Sequence, residues 1–362
     1  MTLHVAVAGW LLGPPSGANR RLLRLVHEAA ARLDPGERVT VLHGETFAPP
    51  ADDGVRWQAI AIPPGPAPVR ARTEARLLPA MLAHLDATVL DHGFLPLPRV
   101  GVPACLTVHD TRAAAGLTRW PRWLARAVLR RSLARADAIV TPSAWTAARL
   151  RELAPTSRAA TVVPNGVDVP AADATFAPRR PLPPNGYLLH TGHLEPRKNL
   201  DVVVRALASL PDAARPELWL AGRDAGSGAA LARSPFVRWF GAIEDDELPP
   251  LYANARGVVV PSRHEGFGLC ALEGLAFGRP VLASDAGALP EVLGGHGTLL
   301  PPDDVAAWAA AIARLPREGD DEGGAARRER AGAFAWGAAA ERLLAVWRRL
   351  DADRARGGAP RR

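Results

Sequence analysis

Short runs of apolar residues punctuate the chain. Between them lie longer stretches in which apolar positions recur every three or four residues. In the first half the short runs fall at residues 4–8, 39–43, 57–62, 87–90, 104–108, 138–141 and 161–163. The helical pattern occupies residues 20–33, 69–85, 122–136 and 144–153. Strands that alternate with helices predict a parallel α/β architecture. Residues 164–186 then carry prolines and glycines with no apolar period, as an interdomain linker does. Strand patterns resume at residues 187–191, 217–221, 237–240, 258–260, 281–284 and 298–300. A last helix is expected over residues 337–350, with Ala338, Leu343, Leu344 and Trp347 as its apolar stripe. No short repeat runs through either half. Two doubly wound halves facing each other would hold a ligand at the strand C-termini, in the cleft between them.

Composition sharpens this division. At 362 residues the chain is too long for one ordinary core and fits two domains. Hydrophobic residues at 48% and charged residues at 22% mark a globular chain. The expected organisation is an acceptor-side domain over residues 1–168, a linker over 169–185 and a donor domain over 186–336. The 337–350 helix could cross back to the first domain. Residues 351–362, rich in Arg and Gly, are expected to be a disordered tail. The N-terminus lacks a basic leader region, and no apolar run is long enough to span a bilayer. The expected location is the cytoplasm, with peripheral contact at the inner membrane face left open. The two cysteines, Cys105 and Cys270, sit among apolar neighbours and read as buried thiols; no ligand cluster suggests a metal.

The net charge of +7 favours acidic ligands such as nucleoside diphosphates, anionic lipid or nucleic acid. Nucleic acid is the weakest of these, because the aromatics are not interleaved on strands and no known module appears. Among 44 basic residues only one is Lys, at position 198. Its position is therefore informative. It falls in His190-Thr191-Gly192-His193-Leu194-Glu195-Pro196-Arg197-Lys198, where a strand pattern meets a glycine turn. A compact ammonium on a flexible stem suits a diphosphate. The plainer alternative is a lysine at a helix start, facing water.

The segment from His264 to Gly274, His-Glu-Gly-Phe-Gly-Leu-Cys-Ala-Leu-Glu-Gly, follows an apolar strand pattern. Glycines permit close backbone approach, and free N–H groups at a helix start near Gly268 can hold phosphate or sugar oxygens. Glu265 on the loop and Glu273 on the helix could reach opposite ends of one ligand. The alternative is a solvated loop glutamate and a helical glutamate paired with an arginine.

These residues carry a resemblance. Glu265 and Glu273 resemble the paired glutamates of the family-4, group 1 glycosyltransferases. Pro261-Ser262, Gly278-Arg279-Pro280 and Ser284-Asp285-Ala286-Gly287 are similar to the same family. The resemblance extends from the first strand to Trp336 and implies a GT-B fold, two Rossmann-like domains facing across a cleft. It implies that Glu265 contacts the donor sugar and that Glu273 binds the nucleotide ribose. Gly266, Phe267, Gly268 and Leu269 would hold sugar hydroxyls and face the diphosphate.

The segment from Gly192 to Lys198 resembles the family's donor-phosphate motif, with His193 where many members carry Arg or Thr. Arg223 could supply a second charge there or form a surface ion pair. His109, in Val108-His109-Asp110, matches a histidine that faces the donor sugar, although a core histidine bonded to Asp110 is equally compatible. Gly17, in Ser16-Gly17-Ala18-Asn19, resembles the family's glycine-rich loop.

The implied activity is retaining, metal-independent hexosyl transfer, mannosyl or glucosyl being the candidates. It would use a nucleoside diphosphate sugar as co-substrate, with no further cofactor. The acceptor would be a hydroxyl in glycan, glycolipid or glycoconjugate synthesis, lipid-linked acceptors included. A non-catalytic nucleotide-sugar-binding partner of another transferase is the alternative; it predicts loss of Glu265, Glu273 or Lys198, and all three are present. A basic, Trp-containing stretch from Arg119 to Arg135 could meet an anionic membrane, though a solvated helix face is the reading preferred here.

Overall fold

The computed structural model describes residues 2–13, 17–50, 54–63, 65–116, 121–154, 158–316 and 322–357. The chain forms two compact units. One comprises Met1–Pro14, Ala18–Pro164 and Trp336–Arg362, the other Pro15–Gly17 and Asn165–Ala335.

The first unit is built on seven strands: β1 (His4–Gly9), β2 (Arg38–His43), β3 (Arg56–Ala59), β4 (Val89–His92), β5 (Ala104–Thr107), β6 (Ala138–Thr141) and β7 (Thr161–Val162). They lie in the order β3-β2-β1-β4-β5-β6-β7 and all pair in parallel. The order reverses between β1 and β4, which opens a ligand crevice at the strand C-termini there. Buried residues on the strands read as nearly unbroken apolar runs, because helices cover both sheet faces. Among those helices are Gly17–Ala30, Ala67–His84, Arg122–Arg135 and Ala144–Leu153.

The C-terminal helix Trp336–Ala355 belongs to this unit. Its Trp336, Leu343, Leu344, Trp347 and Leu350 enter one core with Val5, Leu25, Val41 and Val140. The helix runs five residues past the expected end at Leu350. Arg354 and Asp351, then Arg356 and Asp353, pair across its last turns, so residues 351–355 are helical where disorder was expected. Residues 358–362 lie outside the described residues.

The second unit holds β8 (Tyr187–Thr191), β9 (Glu217–Ala221), β10 (Val237–Trp239), β11 (Gly257–Val260), β12 (Val281–Ser284) and β13 (Thr298–Leu300). Their order is β10-β9-β8-β11-β12-β13, again all parallel, with the reversal between β8 and β11. The breaker-rich stretch after β7 forms no helix or strand up to β8. It is nonetheless pinned to this unit. Val167 N–H donates to Phe334 O at 2.9 Å, and Arg180 pairs with Glu247 at 2.6 Å while stacking over Phe240.

Candidate active site

Both halves of the second unit's site follow strands at the β8/β11 reversal. β8 ends at Thr191, and the chain turns at Gly192 with φ +116°. A single turn of 3-10 helix, Pro196–Lys198, follows, and Asn199 at φ +55° starts the helix Leu200–Ala208. Lys198 thus stands just ahead of that helix rather than on it. Its side chain is 12% exposed, which sets aside the water-facing alternative. The loop needs room from its neighbour: a Cβ on Gly222, after β9, would fall 1.9 Å from Gly192 O.

β11 delivers Pro261 and Ser262, then the loop that carries Glu265. The Glu265 carboxylate is buried. Burial alone would push this carboxyl up. The charge of Lys198, then that of Arg197, and hydrogen bonds from Lys198 and Ser262 outweigh it and hold the group at about 2. Lys198 Nζ donates to Oε1, Ser262 Oγ donates to the same oxygen at 2.9 Å, and an Arg197 nitrogen lies 3.6 Å from Oε2. Arg197 also donates to His264 O at 2.9 Å, tying the two loops together. Behind Glu265, Ala288 N–H donates to its carbonyl at 3.0 Å. Gly287 passes so close that a Cβ there would lie 2.5 Å from that carbonyl oxygen.

Gly268, at φ +101°, caps the helix Leu269–Ala276. In its first turn Ala271 and Leu272 N–H donate to Gly268 O at 3.0 and 3.2 Å, so the N–H groups of Leu269 and Cys270 form the start of the helix at the same strand ends. The Phe267 ring is buried, edge-on to Phe334 at 5.8 Å, so this residue offers a ligand only its backbone. Glu273 sits on the helix, and Tyr252 Oη donates to its Oε2 at 2.5 Å. Among the described residues no three His, Cys, Asp or Glu side chains form a metal-binding group. Cys105 and Cys270 are buried free thiols.

Two other expected donor residues are arranged more loosely. Arg223 is exposed, and its backbone carbonyl accepts from Leu194 N at 2.8 Å. His193 is half-buried, with its carbonyl accepting from Glu195 N at 3.0 Å.

The first unit has its own crevice at the β1/β4 reversal. A cavity of about 50 Å³ is lined by Asn19, Arg21, Asp91, Gly93, His109 and Trp347 among others. His109 follows β5 and is half-buried. Burial and then the Arg21 charge lower it to about 3, so it is a neutral imidazole at physiological pH. Its neighbour Asp110 is engaged by Arg112, through the backbone N–H at 3.0 Å and the guanidinium at 3.3 Å. Gly17 is the first residue of the helix Gly17–Ala30, three residues earlier than the pattern placed that helix. Gly17, Ala18 and Asn19 therefore form the first helical turn.

The basic stretch begins with Arg119 and Trp120, which lie outside the described residues. Farther along, Trp123 is 72% exposed. Arg126, Arg130 and Arg135 each donate to a backbone carbonyl, of Ala114, Leu153 and Leu97 respectively. No helix among the described residues is long and apolar enough to cross a membrane.

Sequence reasoning missed several participants. Arg197 was overshadowed by Lys198, and Ser262 was noted only as part of a family pattern. His190 is fully buried, and its Nδ1 carries the proton, since it bonds Val259 O at 2.8 Å and a carbonyl can only accept. Burial and then the charge of Lys198 lower it to about 4. Tyr252 had a faint signal: the chain has only two tyrosines.

The chain is similar to known proteins along most of its length. Residues 15–170 match the family described as Glycosyltransferase Family 4, and residues 185–318 match Glycosyl transferases group 1. An MMP alpha-(1->4)-mannosyltransferase from Mycolicibacterium hassiacum is 31% identical over 292 residues, 74% of this chain and 70% of that protein. The chain belongs to the group 1 glycosyltransferases of family 4. An O-antigen chain mannosyltransferase B from Escherichia coli is 40% identical over 136 residues, 35% of this chain and 36% of that protein. Among solved structures, a sucrose-phosphate synthase from Thermosynechococcus elongatus superposes with TM-score 0.76 at 22% identity, covering 97% of this chain and 99% of its own. Anabaena HepE in complex with UDP and glucose gives TM-score 0.69 at 17% identity over 95% of this chain and 99% of its own. The fold of this family member is GT-B, with two Rossmann-like units.

Proposed function

We propose that this glycosyltransferase moves a hexosyl group, mannosyl or glucosyl, from a nucleoside diphosphate sugar to a hydroxyl acceptor. We take the transfer to proceed with retention and without a metal. The observation that carries the reading is the buried pair of Lys198 and Glu265, set beside a glycine-capped helix at a strand reversal. An ammonium has three N–H donors, and Glu265 takes one, so the remaining donors are available to an anion. In this reading Lys198 and the N-terminus of the Leu269–Ala276 helix meet the diphosphate. Glu265 contacts the donor sugar and Glu273 the ribose. The acceptor oxygen bonds the anomeric carbon on the face from which the diphosphate departs, and the acceptor's proton passes to the departing diphosphate oxygen. Charge grows on the diphosphate as that bond breaks, so the fixed positive groups stabilise the transition state more than the ground state. Mannosyl transfer gains support from the two mannosyltransferases among the relatives.

The test is release of nucleoside diphosphate from a panel of UDP-, GDP- and ADP-sugars, with and without EDTA, offered with glycan and glycolipid acceptors. Product anomeric configuration is then read by NMR. Inversion removes the stereochemical claim, loss of turnover in EDTA removes the metal-independent one, and no release from any donor favours the non-catalytic alternative. His109→Ala tests the sugar contact that the resemblance implies. Turnover at the wild-type level would remove it.

A further inference from the structure

Tyr252 is 1% exposed, and its ring lies flat against Phe277, with centroids 5.4 Å apart and planes 14° from parallel. That stacking leaves the phenol little freedom. Its oxygen lies 2.6 Å from Thr191 Oγ1 and 2.5 Å from Glu273 Oε2. The direction of the chain follows from valence. The phenolic O–H donates to Glu273 Oε2, which uses its single proton. The Thr191 hydroxyl must then donate to the phenolic oxygen. Burial, with the nearby Cys270 and Glu273, raises Tyr252 well above its ordinary value, so the proton stays in place across the working pH range. Thr191 is held in turn, its backbone N–H reaching Cys270 Sγ at 3.4 Å.

We propose that Tyr252 is a positioning residue for nucleotide recognition: its hydroxyl, oriented by Thr191, sets the Glu273 carboxylate in the pose that receives the ribose diol. The proposal rests on the reading of Glu273 as the ribose contact. Glu273 is on a long, rotatable side chain, and ordering such a chain only on binding costs affinity. Holding Oε2 in advance lowers that cost. Thr191 is also the last residue of β8, where the Lys198 loop begins. The three side chains therefore tie the ribose contact to the root of the loop proposed to hold the diphosphate.

Calorimetry on the full chain tests this with UDP, GDP and ADP, then with the 2′,3′-dideoxy form of whichever binds best. Tyr252→Phe keeps the ring and its stacking. It should weaken the ribonucleotide about tenfold, as expected for a hydrogen bond to a charged group. The dideoxy form should lose about twofold or less, because it has no diol for Glu273 to receive. Thr191→Val, which removes only the far donor, should fall between wild type and Tyr252→Phe. A merely structural role would weaken both nucleotides equally and lower the melting temperature with them; that result, or no loss at all, overturns the proposal. Glu273→Ala separates it from its premise. If this variant binds the ribonucleotide like wild type, the ribose assignment itself fails, and this inference fails with it. If Glu273→Ala loses the preference for ribose while Tyr252→Phe keeps it, the positioning role alone is wrong.

Discussion

At the scale of single residues, the Lys198–Glu265 pair concentrates the chemistry. Both partners are largely buried, so each depends on the other to offset its desolvation. Lys198→Ala should lower kcat more than donor affinity, with a total loss on the order of 2–5 kcal/mol as for one member of a desolvated pair. Steady-state kinetics with the identified donor checks this. Lys198→Arg should restore affinity only in part, since the guanidinium is wider and its charge is spread over a plane. Glu265→Gln should reduce turnover and leave binding of bare nucleoside diphosphate unchanged. It should also change the acid response. Glu265 is held at about 2, below its ordinary 4.5. Its contribution to stability is therefore complete above about pH 4.5 and is lost as pH falls toward 2. The wild-type melting temperature should decline through that window, and the Gln variant, with nothing to protonate there, should decline less.

At the scale of elements, close backbone approaches and one long helix set the geometry. Gly287 sits at φ +65° against the Glu265 backbone. Gly287→Ala combines a disfavoured conformation with a clash, for which a loss of about 1–3 kcal/mol is expected in urea denaturation. The Glu265 loop must shift to admit the methyl group, so turnover should drop as well. The C-terminal helix makes its own polar tie: Trp347 Nε1 donates to Asp91 Oδ2 at 2.7 Å. Burial raises Asp91 to about 6 even though Trp347 and Arg21 act to lower it. A carboxyl raised in this way binds its proton more tightly folded than unfolded. It therefore subtracts stability as pH rises from its ordinary 3.8 through about 6. Trp347→Phe removes the donor from a buried carboxylate. It should cost about 1–3 kcal/mol at neutral pH and less at pH 4, read from denaturation midpoints at the two values.

At the scale of the whole molecule, the two units repeat one plan: a parallel sheet whose strand order reverses once. Each reversal gathers polar residues, Asp91 and His109 in the first unit, Lys198 and Glu265 in the second. A donor that binds only the folded chain must stabilise it, by about 2.7 kcal/mol at a hundred times its Kd. A thermal-shift screen across UDP-, GDP- and ADP-sugars should therefore single out one nucleotide class. The shift should shrink in Glu273→Ala; an equal shift in that variant would remove Glu273 from the nucleotide site.

The architecture was legible in the sequence because apolar runs and breakers are local signals. Five strands, β6, β8, β9, β12 and β13, have the bounds their patterns suggested. Strand edges elsewhere moved by one to three residues; β3 stops at Ala59, before the Ile60-Ala61-Ile62 run ahead of Pro63. Lys198, Glu265 and Glu273 stood out because residue scarcity and glycine spacing mark them in the chain itself. Their partners did not stand out. Arg197 reaches His264 across 67 positions, Tyr252 reaches Glu273 across 21, and Trp347 reaches Asp91 across 256. Helicity in residues 351–355, by contrast, goes with local pairs three residues apart, Asp351 with Arg354 and Asp353 with Arg356. Local pattern fixes which elements form. Only the packed sheets decide which buried carboxylate meets which donor, because that choice rests on strand order and burial rather than on spacing along the chain.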